Sequence, residues 1–168
     1  MLRRVSLVCI LLLLGACTTA PVPEGYKGPV ARVNDTSIPR SGTSIDFFYL
    51  AEVNGRRIEN SQTATSQANY GRGFAMTPRV IGRDIPAEPS KVKIVGRTHH
   101  AAPILALMNK VYEVSGETEF TPEPNQTYTV KGLLKDDYSA VWIENAAGAV
   151  VGQKIEVKGS STLGFFEK

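Results

Sequence analysis

Short runs of apolar residues, separated by glycines and prolines, recur from residue 31 to residue 168. The sequence contains 15 glycines and 10 prolines, and they are spread along the chain rather than concentrated in one stretch. Short apolar runs bounded by turn residues are typical of β-strands. A sheet with an apolar face must bury that face, and a second sheet is the usual cover. We therefore expect an all-β domain over residues 31–168, an antiparallel β-sandwich of about six to eight strands.

The clearest strand signals adjoin recognisable turns. Asp46 to Val53 carries apolar side chains on both faces, and Asn54-Gly55 follows it. Asn-Gly tolerates positive φ at both central positions of a type I′ turn, so this pair predicts a hairpin. Between Gln126 and Val157 there are three runs in which apolar and polar residues alternate. Turns at Asp136-Asp137 and at Asn145 to Gly148 separate them. These runs predict a meander of three consecutive strands.

Three segments fit more than one interpretation. Pro103 to Tyr112 has apolar residues at helical spacing, which fits a short helix or a loop packed over the core. Asn60 to Ala68 is polar and uncharged, which indicates a long loop or a weak edge strand. Trp142 lies between Val141 and Ile143, and a tryptophan with apolar neighbours is typically a core residue. Stacking of Trp142 on a sugar is the alternative.

The amino terminus has the three-part plan of a secretory signal peptide. Arg3 and Arg4 form a basic start, a ten-residue apolar run follows from Val5 to Leu14, and Gly15 and Ala16 are small. A membrane-spanning helix needs about 20 apolar residues, so this run is too short to be a stable span. We expect residues 1–16 to be removed during export.

The end of this run, Leu14-Gly15-Ala16-Cys17, resembles the lipobox of the bacterial lipoprotein family at all four positions. The resemblance implies a diacylglycerol on the Cys17 sulfur, cleavage before Cys17 and a fatty acyl chain on the new amino group. Thr18 follows, where an aspartate can retain family members at the inner membrane. The expected location is therefore the cell envelope, at the outer membrane and facing the periplasm. Residues 17–30 would then contain the lipidated cysteine and a flexible tether rich in proline and glycine.

The mature domain has a second, looser resemblance. Its Asn-Gly hairpin, its central alternating strand and its C-terminal Tyr-x-Val strand are similar to those of small transthyretin-like β-sandwich lipoproteins of the bacterial envelope. This likeness implies the sandwich fold alone, and it transfers no site residue.

Composition and spacing argue against several kinds of chemistry. A net charge of +3 is too weak to predict nucleic-acid binding. Two cysteines cannot build a disulfide framework or a cysteine zinc cluster. His99 and His100 are adjacent, so on a strand their side chains point to opposite faces, whereas a zinc site needs three or four ligands. We expect partly exposed histidines, no metal site and no cofactor.

The sequence also lacks a recognisable catalytic motif. It contains no Gly-x-Ser-x-Gly elbow. Asp136-Asp137 is better explained as a turn than as a pair of catalytic carboxylates. Glu117 and Glu119 are better explained as one solvated face of a strand. We predict no catalytic residues. A hydrolase acting on peptidoglycan or lipid is the alternative, and it requires a serine and a carboxylate beside His99 or His100.

The most unusual local string is Asn69-Tyr70-Gly71-Arg72-Gly73-Phe74. Its glycines allow the backbone to approach a partner, and arginine pairs well with carboxylate or phosphate. We interpret Asn69, Tyr70, Arg72 and Phe74 as a partner-binding loop, with a solvated connection as the alternative. Taken together, the sequence predicts a non-catalytic, lipid-anchored protein that binds another envelope protein or a cell-wall component. A lipid-anchored hydrolase and a secretion-apparatus subunit are the other functions that fit.

Overall fold

The computed structural model describes residues 20–168. The expected signal peptide and Cys17 lie outside the described residues. Between residues 20 and 168, no helix has the length and apolar character needed to cross a membrane.

Most of the regular structure in the described chain is β-strand, which confirms the all-β sandwich. Residues 20–168 contain ten strands rather than the expected six to eight, because two short and mostly polar segments, Thr36–Ser41 and Gly82–Pro86, also form strands. The elements in chain order are β1 (Val30–Asn34), β2 (Thr36–Ser41), β3 (Ser44–Val53), β4 (Arg56–Arg57), α1 (Ser61–Ala68), β5 (Gly82–Pro86), β6 (Ser90–His100), α2 (Pro103–Met108), β7 (Glu113–Phe120), β8 (Thr127–Leu134), β9 (Tyr138–Asn145), β10 (Val150–Lys158) and a 3₁₀ turn (Phe165–Glu167).

The strands form two sheets packed face to face. The order in the first sheet is β10-β9-β8-β1-β5. The order in the second sheet is β7-β6-β3-β2, and β4 pairs with β3. β1 and β8 pair in parallel, whereas the other pairings among the described strands are antiparallel. The β8–β9–β10 meander is confirmed, and so is the hairpin, because Asn54 and Gly55 have φ angles of 50° and 75°.

The chain crosses from the first sheet to the second at Asp35, between β1 and β2. The Asp35 carboxylate is buried and accepts five hydrogen bonds. Two come from the guanidinium of Arg83 on β5, two from the backbone and hydroxyl of Ser61 and one from the Leu50 amide. One buried ion pair therefore ties together β3, β5 and the start of α1.

The core between the sheets is apolar, and Phe48 lies near its centre. Phe48 is opposite Gly96 on the neighbouring strand β6. Its ring also lies against Gly132 of β8 in the first sheet, where a Cβ added to the glycine would come 2.3 Å from the Phe48 Cδ1 atom. The two glycines therefore leave the space that the ring occupies.

A helix covers the outer face of the second sheet, which corrects the loop or edge-strand interpretation of Asn60 to Ala68. α1 begins because the Asn60 side chain accepts a hydrogen bond of 3.0 Å from the Thr63 amide. The residues that it buries, Ser61, Ala64 and Thr65, are small, so the helix can approach the sheet closely. α1 and Met76 border a second apolar cluster of four side chains, which are Ile45, Phe47, Tyr49 and Val95.

α2 confirms the helical interpretation of the segment after β6, although it ends at Met108 instead of reaching Tyr112. Pro103 begins it, as expected for the first turn of a helix. None of its residues is buried. The apolar spacing that predicted α2 therefore produces an exposed apolar face.

Trp142 is not a core residue, contrary to the interpretation of its apolar neighbours. Val141 and Ile143 point into the core, so Trp142 between them points outward from the first sheet and is partly exposed. Its indole N–H donates to Glu144 at 2.7 Å, and the Lys154 Nζ lies 4.8 Å from the ring centroid.

Candidate functional site

A groove of about 710 Å³ opens on the outer side of the second sheet, beside the last residues of β6. α1 and the loop that follows it form one wall, and α2 with the C-terminal residue Lys168 forms the other. The lining is more apolar than polar. It comprises Gln62, Ser66, Asn69, Tyr70, Gly71, Gly73, Met76, Arg97, Thr98, His99, His100, Ala101, Ala102, Pro103, Ala106, Leu107, Val111 and Lys168.

The loop singled out in the sequence forms part of this groove. Asn69 and Tyr70 line the wall, whereas Arg72 and Phe74 lie outside the lining. The Asn69 side chain holds the loop closed, because it donates to the Thr77 carbonyl at 2.9 Å and accepts from the Thr77 amide at 2.9 Å. Arg72 donates to the same Asn69 side chain at 3.2 Å. Asn69 therefore shapes the loop, and Tyr70, which is 93% exposed, is free to contact a partner.

The floor of the groove holds His99 in a network built by α1. The His99 Nε2 atom lies 3.1 Å from the Ser66 Oγ atom, and Nδ1 lies 3.4 Å from the Gln62 Nε2 atom. Ser66 Oγ donates to the Gln62 carbonyl at 3.0 Å. The Tyr49 hydroxyl donates to the Gln62 side-chain oxygen at 2.8 Å. Each polar side-chain group in this network has a partner.

With the Gln62 side-chain oxygen placed towards Tyr49, these contacts favour one tautomer of His99. Because Tyr49 donates to the Gln62 oxygen, the Gln62 amide nitrogen faces His99 and donates to Nδ1. Nε2 then carries the ring proton and donates to Ser66, which directs its own proton to the Gln62 carbonyl. In this tautomer the hydrogen bond runs from the imidazole to the serine, opposite to the direction in which a general base acts.

Electrostatics agree with a neutral imidazole. Burial, together with the neighbouring His100 and Arg97, lowers the pKa of His99. Burial and the nearby Glu113 raise the pKa of Tyr49 well above its usual value, so its hydroxyl stays protonated and continues to donate. Arg97 pairs with Glu113, which neutralises the charge at the floor of the groove.

His100 points to the other face of β6, as expected for adjacent strand residues, but it is buried rather than partly exposed. Its Nε2 atom lies 3.1 Å from the Lys110 carbonyl, and its buried Nδ1 atom has no hydrogen-bond partner. Within residues 20–168, no cluster of three His, Cys, Asp or Glu side chains is placed to hold a metal ion.

The sequence interpretation missed Gln62 and Ser66 because it did not predict α1. A usable signal was present, since Asn60 is a favourable N-cap and Gln62 and Ser66 are four residues apart, on one face of a helix. Ser66 and His99 are 33 residues apart in the sequence, so no local sequence pattern could predict their contact.

We expect acid to destabilise the fold through His99. An unfolded histidine binds a proton near pH 6.5, whereas the lowered pKa delays protonation in the folded chain. Below about pH 6.5 the unfolded state therefore binds more protons, and the free energy of unfolding falls as the pH falls towards the folded pKa. Urea unfolding between pH 7.5 and 5.5 measures this effect. In the His99→Gln variant, which cannot titrate at this position, the free energy of unfolding should change less with pH. Parallel pH profiles for the two proteins would show that His99 is not the cause.

The groove has an apolar lining, a neutral imidazole in its floor and an arginine already paired with a glutamate. Comparison of the chain with protein families, with curated proteins and with solved structures finds no match.

Proposed function

We propose that this chain is a lipid-anchored protein of the bacterial envelope that binds a partner through the groove and catalyses no reaction. The observation that carries the proposal is the groove itself, with its apolar lining over a closed hydrogen-bond network. Its volume lies within the range of about 300–1,000 Å³ that is usual for ligand sites.

The same network weighs against the hydrolase alternative. Ser66 lies within hydrogen-bond distance of His99, as a nucleophile would. The group on the other side of the ring is the amide of Gln62 rather than a carboxylate, and it favours the tautomer that cannot accept the serine proton. A serine-directed fluorophosphonate should therefore leave Ser66 unlabelled in the full chain, and rapid labelling of Ser66 would contradict the non-catalytic proposal.

The segment that follows the expected anchor lies against the domain. From Ala20 to Pro29 the chain follows the surface of the domain without joining a strand. The Arg56 side chain donates to the Pro21 carbonyl at 3.2 Å, and the Tyr26 hydroxyl donates to the Pro29 carbonyl at 2.9 Å. A lipid on Cys17 would lie just beyond this segment.

Cys17→Ala should abolish lipidation, because the thioether that carries diacylglycerol requires the Cys17 sulfur. We expect the variant to take up no radiolabelled palmitate in bacterial cells and to keep the length of the uncleaved precursor. Gel mobility, intact mass and membrane fractionation measure these outcomes.

Cys9→Ala is the matched control for this experiment. Cys9 lies inside the segment expected to be removed, so its replacement should leave labelling and cleavage unchanged. Normal processing of Cys17→Ala would refute the anchor, and loss of label in both variants would show that the apolar run rather than the lipobox had been damaged.

A further inference from the structure

We propose that a polar pocket beside the N-terminal segment holds the zwitterionic headgroup of a phospholipid, with the headgroup phosphate on Arg79 and its primary ammonium on Glu59. The headgroup chemistry that this requires is that of phosphoethanolamine. The inference concerns a site separate from the groove. It rests on the proposed function, because the lipid on Cys17 is what brings the pocket to a membrane surface.

The pocket lies where the N-terminal segment meets the domain. Its volume is about 380 Å³, and the residues that line it include Ala20, Pro21, Glu59, Arg79 and Arg83. The lining is more polar than apolar, in contrast to that of the groove. The volume falls within the range of about 300–1,000 Å³ that is usual for ligand sites. The pocket therefore suits a small polar group rather than an apolar chain.

Two charged side chains in this pocket are available to a ligand. Within residues 20–168, neither the Glu59 carboxylate nor the Arg79 guanidinium makes a hydrogen bond or an ion pair. The third charge in the lining, on Arg83, is already neutralised by the buried Asp35 carboxylate. The pocket thus presents one positive and one negative group, both of them exposed.

Both of these side chains extend from a fixed backbone. Glu59 lies between Ile58, which is buried, and Asn60, which is the N-cap of α1. The Arg79 amide donates to the Thr65 hydroxyl of α1 at 2.8 Å. A ligand that contacts both groups therefore has to order two side chains and no loop, which keeps the entropic cost of binding low.

The pair of charges selects the kind of headgroup. Glu59 and Arg79 share the pocket but form no ion pair with each other, so a ligand with an anion and a cation a few bonds apart can contact both. A guanidinium binds phosphate through two parallel hydrogen bonds, and a carboxylate accepts from a primary ammonium. A choline headgroup has no N–H to donate, and a purely anionic headgroup would leave its charge beside Glu59.

The position of the pocket brings it to the lipid surface. Ala20 is part of the lining, and Cys17 precedes it by three positions, which span at most about 11 Å when extended. Thr18 and Thr19, which lie between, carry no charge and cannot pair with Glu59 or Arg79. A lipid on Cys17 therefore keeps the pocket among the headgroups of its own leaflet, where their effective concentration is high.

Carbodiimide coupling tests the inference with the full chain, because this reagent joins a carboxylate to a primary amine beside it. The lipidated chain is purified from bacterial membranes and placed in phosphatidylcholine vesicles that contain phosphatidylethanolamine as a minor component. We expect an amide between Glu59 and the ethanolamine nitrogen, located by mass spectrometry of the peptides. Glu119, an exposed glutamate on β7 outside the pocket, should give little or no adduct.

Substitutions of the arginine connect the adduct to the pocket. Arg79→Ala removes the phosphate contact, so the Glu59 adduct should fall about tenfold, the effect of losing a hydrogen bond to a charged group. Arg79→Lys keeps the charge and should restore most of the yield. Arg72→Ala, which removes an exposed arginine outside the pocket, is the matched control and should leave the yield unchanged. Urea unfolding shows whether each variant remains folded.

A second arm separates membrane headgroups from the free compound. Free phosphoethanolamine is added to the chain in vesicles of phosphatidylcholine alone, at the total concentration that the lipid had. The Glu59 adduct should then be much weaker, because only the membrane concentrates the headgroup at the anchor. An equal yield from the free compound would overturn the membrane source, and an equal yield from glycine would indicate an amino-acid site instead.

Three further outcomes would overturn the inference. These are equal adducts at Glu59 and Glu119, a Glu59 adduct that survives Arg79→Ala, and coupling of Glu59 to a lysine of a second copy of the chain. The intact mass of the same sample reports the lipid on Cys17. A lipidated chain without the Glu59 adduct refutes the headgroup site alone, whereas an unlipidated chain refutes the anchor and, with it, the contact of the pocket with a membrane.

Discussion

Asp35→Ala should lower the free energy of unfolding by about 3–5 kcal/mol, the usual cost of removing one partner of a buried ion pair. The substitution leaves the Arg83 guanidinium buried without its counter-charge, and the Arg83 Nε atom already has no hydrogen-bond partner. It also removes the acceptor for the Ser61 and Leu50 amides. Equilibrium unfolding in urea measures the loss.

Asp84→Ala is the matched control, because it also removes an aspartate that pairs with an arginine. The Arg32–Asp84 pair spans 3.2 Å and both side chains are 51% exposed, so its loss should cost less than about 1 kcal/mol. If both alanine variants lose the same free energy of unfolding, the buried Asp35–Arg83 pair contributes no more stability than the exposed Arg32–Asp84 pair.

A double variant separates the ion pair from the backbone contacts. Asp35→Ala with Arg83→Met removes both charges, so the loss should be smaller than the sum of the two single losses. The part that remains reports the Ser61 and Leu50 amides left without an acceptor. Because Ser61 begins α1, this remainder also measures how firmly Asp35 fixes the helix that carries Gln62 and Ser66 into the groove.

Phe48→Ala should cost about 3–5 kcal/mol, because it leaves a cavity between two closely packed sheets. The ring is fully buried and lies between Gly96 and Gly132, so no neighbouring side chain can fill the space at those two positions. Thermal or urea unfolding measures the loss.

The two glycines provide a second test of the same contact. Gly132→Ala alone should destabilise the domain by about 1–3 kcal/mol, since the new Cβ would overlap the Phe48 ring and approach the Ala140 carbonyl. In the Phe48→Ala background this penalty should shrink, although the contact with the carbonyl persists. Gly42→Ala is the control, because a Cβ there has no neighbour within 4 Å. Additive effects of Phe48→Ala and Gly132→Ala would contradict a direct contact between the ring and the glycine.

Local sequence patterns predicted the parts of the fold that depend on neighbours in the chain. The Asn54-Gly55 hairpin and the β8–β9–β10 meander require only alternation and turn residues, which are visible in the sequence. β2 and β5 were not predicted because their residues are mostly polar and their pairing partners lie elsewhere. α1 was missed because its buried residues are small and polar, so it lacks the apolar stripe that indicates a helix.

The candidate site was predicted only in part. The unusual glycine pattern drew attention to the segment containing Asn69 and Tyr70, and these two residues lie in the groove wall. That this segment binds a partner stays a prediction. The position of His99 beside Ser66 and Gln62, and the pairing of Asp35 with Arg83 across 48 positions, arise from packing between elements distant in sequence. Single-sequence patterns carry no information about such contacts.

The parallel pairing of β1 with β8 has a consequence for how the chain acquires its structure. Val33 in the first strand lies opposite Tyr128, so the sheet centre joins the two halves of the sequence. Such pairing gives a high contact order, which slows folding because a long loop must close before the contacts form. A chain delivered from its amino terminus would hold Ala31 and Val33 without this neighbour until most of its length had emerged. A chaperone that shields apolar nascent segments should therefore raise the yield of folded protein more than a stabilising substitution in the meander.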